Sequence, residues 1–280
     1  MDWLYWQNGA WTTEETPILS TKDNAFWMGN TVFDGARYFE GCIPDLDRHC
    51  ARVIVSAKRM LLEPKIDAGA LYDLCCEGVK QFPEDSELYI RPMFFPRGGF
   101  VVPDAKTTEC AIVIHRLPLP DASGQTACIT PFRRPYPDMA PTDAKAACLY
   151  PNMQRAIAHA NSRGFDMAII HKTDGSIAEF ASANLMMVKN GRIFTAGPDG
   201  TFLTGITRAR VMQLLSADGN PVTETTISED DLLNADEVFS TGNYGKVVPV
   251  AKIEDRTYGV GPVTMHVREL YWDFARTCPL

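Results

Sequence analysis

Apolar side chains recur along this chain in two rhythms, one suited to strands and one to helices. Leu4-Tyr5-Trp6-Gln7 and Ala10-Trp11-Thr12-Thr13 flank Asn8-Gly9. Asn-Gly takes the positive φ angles of a two-residue turn, so this stretch predicts a hairpin. Residues 32–39, rich in β-formers, predict a strand. Cys50, Val53, Ala57 and Met60 fall at helical spacing and predict a helix ended by Pro64. Leu71, Leu74, Cys75, Val79 and Phe82 predict a second helix, and residues 88–95 and 110–116 predict two strands. Further on, residues 153–163 read as a helix that stops at Gly164. Residues 167–171 and 183–189 read as strands, the latter turning back at Asn190-Gly191. Residues 207–217 predict a helix with Val211, Leu214 and Leu215 on one face and Gly219 as its stop. Pro262 suits the first position of a last helix carrying Val263, Val267, Leu270 and Phe274.

Between these halves lies Leu117-Pro118-Leu119-Pro120-Asp121-Ala122-Ser123-Gly124, whose composition suits an extended connection. The expected organisation is therefore a smaller N-terminal α/β domain over residues 1–116, a linker over 117–126 and a larger C-terminal domain over 127–280. The fold class is mixed α/β (α+β).

With 280 residues, 45% of them hydrophobic, the chain can bury a full core. Its formal charge of -8 argues against a non-specific binder of nucleic acid or anionic membrane, which needs a basic face. No apolar run is long enough to span a bilayer, and Met1-Asp2-Trp3-Leu4-Tyr5 does not have the build of a signal peptide, so a cytoplasmic location is expected. The eight cysteines include no C-x-x-C pair and stand mostly in apolar company, as in Leu74-Cys75-Cys76; small buried thiols are expected rather than disulfides or a metal site.

No P-loop, G-x-G-x-x-G, G-x-S-x-G or H-E-x-x-H occurs. Four separated segments carry the candidate chemistry. Lys145 lies among small residues in Asp143-Ala144-Lys145-Ala146-Ala147, with room for a planar ring beside an amine. A desolvated lysine near other cations has a lowered pKa and forms imines with carbonyl cofactors, whereas an arbitrary lysine is a solvated charge. Glu179, between apolar and small residues, needs a cation; a pyridinium N–H would serve, and so would an ordinary arginine. Leu203-Thr204-Gly205-Ile206-Thr207-Arg208 stands where a helix begins, either as a phosphate cradle or as a plain threonine N-cap. Arg52, in His49-x-x-Arg52, offers a bidentate phosphate partner or a surface charge. His115, His159 and His171 read as packing or surface residues.

In order and spacing these segments resemble the class IV aminotransferases, the family of branched-chain aminotransferase, D-amino acid transaminase and aminodeoxychorismate lyase. The resemblance runs from the Asn8-Gly9 hairpin to Pro249-Val250. Its strongest run is Gly164-Phe165-Asp166, Asp174-Gly175, Glu179, Asn184, Gly205-Ile206-Thr207-Arg208 and Ala235-Asp236-Glu237-Val238-Phe239. It implies the two-domain fold-type IV (D-amino acid aminotransferase-like) architecture and pyridoxal 5'-phosphate as cofactor. Lys145 would hold the cofactor as a Schiff base and shuttle the proton. Glu179 would pair with the pyridine nitrogen and Tyr150 with the phenolic oxygen. Arg52, Ile206 and Thr207 would hold the phosphate. The family's usual Gly-Thr is replaced here by Gly242-Asn243, followed by Tyr244, so Asn243 becomes the candidate phosphate ligand and Tyr244 stands where the substrate carboxylate is received.

Tyr89-Ile90-Arg91-Pro92 and Phe33-Asp34-Gly35-Ala36-Arg37 resemble the substrate-binding segments of branched-chain aminotransferases, so Phe33, Arg37, Tyr89 and Arg91 are expected at the substrate. The loop after Arg91 reads Pro96-Arg97-Gly98-Gly99-Phe100, without the Arg-x-His of the D-amino acid enzymes. Met28 stands where branched-chain enzymes place an aromatic, and their Gly-Met-Gly loop is missing. The resemblance implies a homodimer that moves an amino group from an amino acid, branched-chain L-amino acids being favoured, to a keto acid such as 2-oxoglutarate. A D-amino acid or (R)-amine transaminase and an aminodeoxychorismate lyase-type enzyme are the alternatives.

Overall fold

Asn8 and Gly9 take φ angles of 54° and 84° in the computed structural model, which describes residues 1–280. Trp3–Gln7 therefore turns back onto Ala10–Thr12, with Trp6 opposite Trp11. This hairpin edges a six-stranded sheet that continues through Thr108–Arg116 and Leu88–Pro96 to Val32–Phe33, and Ala36–Tyr38 also pairs with Leu88–Pro96. Alternation along the central strand gives the sheet two different faces. Leu88, Ile90 and Phe94 are buried with Ile112 and Ile114 in the core that holds Cys50, Val53, Ala57, Leu71, Cys75 and Val79 of the helices Leu46–Arg59 and Ala68–Val79. Tyr89, Arg91 and Met93 stand half-buried on the other face.

The strand expected over residues 32–39 is instead two short pieces, Val32–Phe33 and Ala36–Tyr38. Between them Asp34 turns its carboxylate into the interior, where His49 and Arg52 bind it, and no regular ladder survives that turn. The first helix ends at Arg59 because Leu61 is left-handed, with φ 62°, before Pro64 is reached. Phe82 lies beyond the end of the second helix.

A nine-stranded sheet forms the other half of the fold. Its order is Thr223–Thr225, Arg192–Ala196, Asn184–Lys189, Glu237–Gly242, Lys246–Ile253, Gln125–Arg133, Met167–His171 and Ile177–Phe180, with Arg256–Thr257 added to Lys246–Ile253. Asn190 and Gly191, at φ 52° and 71°, make the expected turn. Gly164 and Gly219 are left-handed just past the helices Tyr150–Ser162 and Ile206–Ala217. In the last helix, Pro262–Arg276, the buried stripe is Thr264, Val267, Tyr271 and Ala275, rotated from the expected one. The Glu237 carboxylate sets that rotation by accepting from Thr264 N and Oγ1 (both 2.7 Å) and from Val263 N (3.1 Å). An acceptor from a strand thus satisfies N–H groups at the helix start.

The chain divides into two compact units. The first holds Met1–Leu119, Asp143–Tyr150 and Ala275–Leu280, and the second holds Pro120–Thr142 and Pro151–Phe274. This corrects the expected division, which put Lys145 in the C-terminal domain. Phe33 N donates to Lys145 O (3.1 Å), Ala147 N to Thr31 O (2.8 Å) and Lys145 N to Ser56 Oγ (3.0 Å), so the lysine segment is built into the first unit. The linker is also shorter than expected, because strand Gln125–Arg133 begins inside it. All eight cysteines are free thiols. No helix is long and apolar enough to cross a membrane.

Candidate active site

In the first unit the chemistry gathers around Lys145. The isolated bridge between Val32 and Ala146 places the lysine beside the short strand Val32–Phe33. Its Nζ lies 2.7 Å from the Tyr150 hydroxyl, 5.0 Å from the centre of the Phe33 ring and 5.4 Å from that of Tyr150. The two rings are themselves 5.0 Å apart. Burial works against charge on Lys145, but Tyr150 and Asp34 outweigh it and hold the amine above its ordinary pKa. That reverses the expected lowering by desolvation: the nearest polar groups favour the ammonium.

Arg52 is next in this group, and Asp34 controls it. Arg52 Nε and Nη2 donate to the two oxygens of Asp34 at 2.6 and 2.8 Å, and His49 Nδ1 lies 2.8 Å from Asp34 Oδ1. Burial opposes the Asp34 charge, yet Arg52 and His49 overcome it and hold the carboxyl far below the usual range. Two of the Arg52 nitrogens are thus committed to Asp34, which fixes the plane of the guanidinium. Asp34 was not expected at the site, although it lies inside the Phe33–Arg37 motif; its role depends on helix Leu46–Arg59 folding against it.

Tyr89, Arg91 and Arg37 occupy the sheet beside these groups. Tyr89 pairs across the ladder with Arg37 on one side and with His115 on the other, its ring 5.5 Å from the imidazole. Burial raises the Tyr89 pKa. Arg91 is half-buried, with Nε enclosed and unpartnered. Arg37 is fully buried and donates Nη2 to Leu117 O at 2.5 Å. It is fully enclosed, and it is the cross-strand neighbour of Tyr89.

In the second unit Glu179 and Asn184 form one cluster with a helix start. Arg134 Nη2 lies 2.5 Å from Glu179 Oε1, and Asn184 Nδ2 donates to Glu179 Oε2 at 2.9 Å and to Leu203 O at 3.0 Å. The arginine partner weighed as an ordinary alternative for Glu179 is therefore present. Gly205, at φ 72°, precedes helix Ile206–Ala217 with no side-chain cap. A Cβ there would fall 1.9 Å from Asn184 Oδ1, so only glycine admits this approach. Thr207 is buried inside the first turn instead of capping it. Across the ladder from Asn184 stands Thr241, whose buried hydroxyl has no partner. Two residues on, Asn243 accepts from Lys246 Nζ at 2.8 Å, and its own Nδ2 is buried and unpartnered. Tyr244 is half exposed and lines a cavity of about 250 Å³ with Ser182, Gly242 and Lys246. Arg134 and Lys246 give no separate signal in the sequence, the one standing in an Arg-Arg pair and the other at a strand start.

These donors fit a phosphorylated pyridine aldehyde. The second unit supplies a carboxylate at one end of the cluster, and an uncapped helix start with two unspent donors at the other. The model of the family described as amino-transferase class IV matches residues 31–253. This chain belongs to the class IV aminotransferases. A protein of Aquifex aeolicus named "Probable branched-chain-amino-acid aminotransferase" is 30% identical over 99% of this aminotransferase and 93% of its own length. The structure of an aminotransferase from Brucella abortus bound to the co-factor PLP superposes with a TM-score of 0.97. It is 43% identical and covers 99% of this chain and 100% of its own. The branched-chain amino acid aminotransferase of Escherichia coli has a TM-score of 0.90 at 26% identity, covering 98% and 95%. The fold of this aminotransferase is therefore that of the branched-chain aminotransferase structures.

Proposed function

We propose that this aminotransferase carries pyridoxal 5'-phosphate and moves an amino group from a branched-chain L-amino acid to a keto acid such as 2-oxoglutarate. The observation that carries the reading is the half-buried Lys145 amine, 2.7 Å from the Tyr150 hydroxyl and 5.0 Å from the centre of the Phe33 ring. When bound, the cofactor supplies an electrophilic carbon for amines and a ring that takes up carbanion charge.

Lys145 is the nucleophile toward that carbon and the base that removes and returns the proton at the substrate Cα. Tyr150 accepts from the Lys145 amine and orients it, and would pair with the cofactor's phenolic oxygen. Glu179 holds the proton on the ring nitrogen, with Arg134 and Asn184 keeping its carboxylate in place. Arg52, held in plane by Asp34, with Ile206, Thr207 and Asn243, binds the phosphate. Phe33 supplies an apolar wall beside the amine, and Tyr89, Arg91 and Tyr244 receive the substrate, with Arg37 beside Tyr89 in the ladder.

Branched-chain donors are favoured by the names of the relatives and by Arg97. Its guanidinium is tied to Asp23 and Glu109, each at 2.8 Å, and to Ile18 O, so it is not a free clamp for a D-amino acid carboxylate. A cytoplasmic homodimer belongs to the same proposal. It is supported by the exposed apolar residues Phe26, Trp27, Phe100, Val101 and Val102, of which Trp27 and Phe100 meet at 5.2 Å. Contiguous exposed apolar surface of this kind marks association sites. Sedimentation at twice the 31.1 kDa chain mass supports the dimer, and a monomer refutes it.

The substrate test follows the visible absorbance of the pyridoxal phosphate-loaded enzyme as single donors are added. Bleaching by L-leucine, reversed by 2-oxoglutarate, supports the branched-chain reading. Bleaching only by D-alanine or (R)-1-phenylethylamine moves the substrate to the D-amino acid or (R)-amine class. Pyruvate release with no keto acid added points to the lyase. A protein that takes up no cofactor overturns the whole reading.

A further inference from the structure

Lys246 is buried to 1% exposure, yet it follows a surface turn. Gly242 and Lys246 are paired in the ladder, so Asn243, Tyr244 and Gly245 form a three-residue hairpin loop. The residue that closes this loop is left-handed: Lys246 has φ 62°. Glycine takes that conformation freely and asparagine or aspartate with little cost, while a lysine there is strained. A long cationic side chain in a strained and buried place points to a use for the side chain.

Its contact with Asn243 is chemically unambiguous. An ammonium has donors only, so the Asn243 atom 2.8 Å from Nζ must be the carbonyl oxygen. The carboxamide has then one orientation, and Nδ2 is committed as a donor. That NH2 is enclosed and has no partner, and neither has the hydroxyl of Thr241, which is 0% exposed. Thr241 is the cross-strand neighbour of Asn184, whose carboxamide abuts Gly205 at the start of helix Ile206–Ala217. Strand end and helix start therefore meet through Asn184. Two unspent donors, an uncapped helix N-terminus and a buried cation share that locality, which is the composition of an anion receptor.

We propose that Lys246 is a positioning residue for the phosphate end of the site: its ammonium turns the Asn243 amide into a fixed donor and adds a buried positive charge behind it. The ligand class is a phosphate monoester dianion. The inference rests on the cofactor reading above and deepens it. It also accounts for how asparagine works where the family usually has threonine. Unlike a threonine hydroxyl, which rotates to suit, a carboxamide needs something to select its flip.

The test uses the full-length chain, loaded and then dialysed against falling concentrations of pyridoxal 5'-phosphate or of pyridoxal, which has no phosphate. Lys246→Met is expected to weaken pyridoxal phosphate by roughly tenfold, the equivalent of one charge-assisted hydrogen bond, and to leave pyridoxal unchanged. Asn243→Asp keeps a partner for Lys246, so folding is preserved, but it presents an anion to an anion and should weaken pyridoxal phosphate still further. Because both act through one amide, Lys246→Met/Asn243→Ala should bind no worse than the weaker single variant. The phosphorus resonance of the bound cofactor should also change its pH titration in Lys246→Met. Equal loss of both ligands, strictly additive variants, or unchanged pyridoxal phosphate affinity in Lys246→Met each overturn the inference. If the unsubstituted chain takes up no pyridoxal phosphate, the cofactor reading itself has failed.

Discussion

At the residue scale, Lys145 and Asp34 have opposite sensitivities. Lys145→Ala removes nucleophile and general base together, and turnover should fall by at least the roughly 10²–10⁴-fold that general base catalysis supplies. Steady-state assay checks this, and normal activity would refute the assignment. The same variant should cost little stability, since its backbone bonds to Ser56 and Phe33 remain. Asp34→Asn should do the reverse first. It leaves the Arg52 and His49 contacts uncompensated in a fully buried place, for a loss of about 3–5 kcal/mol by denaturant titration. Asp34 itself was easy to see in the chain beside Phe33; its use as an anchor for Arg52 was not, because His49 and Arg52 lie 15 and 18 residues further on and only helix packing brings them to it.

At the element scale, the start of helix Ile206–Ala217 depends on Gly205. Gly205→Ala combines a left-handed φ with a Cβ 1.9 Å from Asn184 Oδ1. It should destabilise by at least about 1–2 kcal/mol from the backbone alone. Because Asn184 also holds Glu179, it should weaken the bound cofactor as well. Differential scanning calorimetry and cofactor dialysis read the two effects, and a variant with unchanged Tm and affinity would contradict this account. Most elements were legible from periodicity and turn chemistry: the Asn8-Gly9 and Asn190-Gly191 turns, the long strands, and the helices ended by Gly164 and Gly219. The exceptions share a cause. Residues 32–39 break at a buried ion cluster, and helix Pro262–Arg276 rotates to seat Thr264 on Glu237. In both, a charged side chain distant in sequence overrides local pattern.

At the scale of the whole molecule, two linkages are expected. The depressed pKa of Asp34 means that its contribution to stability is complete above the unfolded carboxylate range, near about 4, and is lost as pH falls through the lower folded value. Thermal stability should therefore hold through neutral pH and decline in acid below about pH 4, and Asp34→Asn should flatten that decline. A profile in which the variant loses stability in acid as steeply as the unsubstituted chain would contradict the linkage. Pyridoxal phosphate at about a hundred times its dissociation constant should stabilise the chain by about 2.7 kcal/mol, read as a rise in Tm. No rise would argue against the cofactor.

The order of elements and the family were legible in the sequence itself, because turn residues and hydrophobic periodicity act locally and the family's segments keep their order along the chain. Tertiary structure alone decided which charges meet. It set Arg52 on Asp34, Arg134 on Glu179 and Lys246 on Asn243, and it moved the Lys145 segment into the first unit. The physical reason is the same throughout. A buried charge is stable only beside its partner, and that partner is chosen by packing across distant segments, on which sequence spacing is silent.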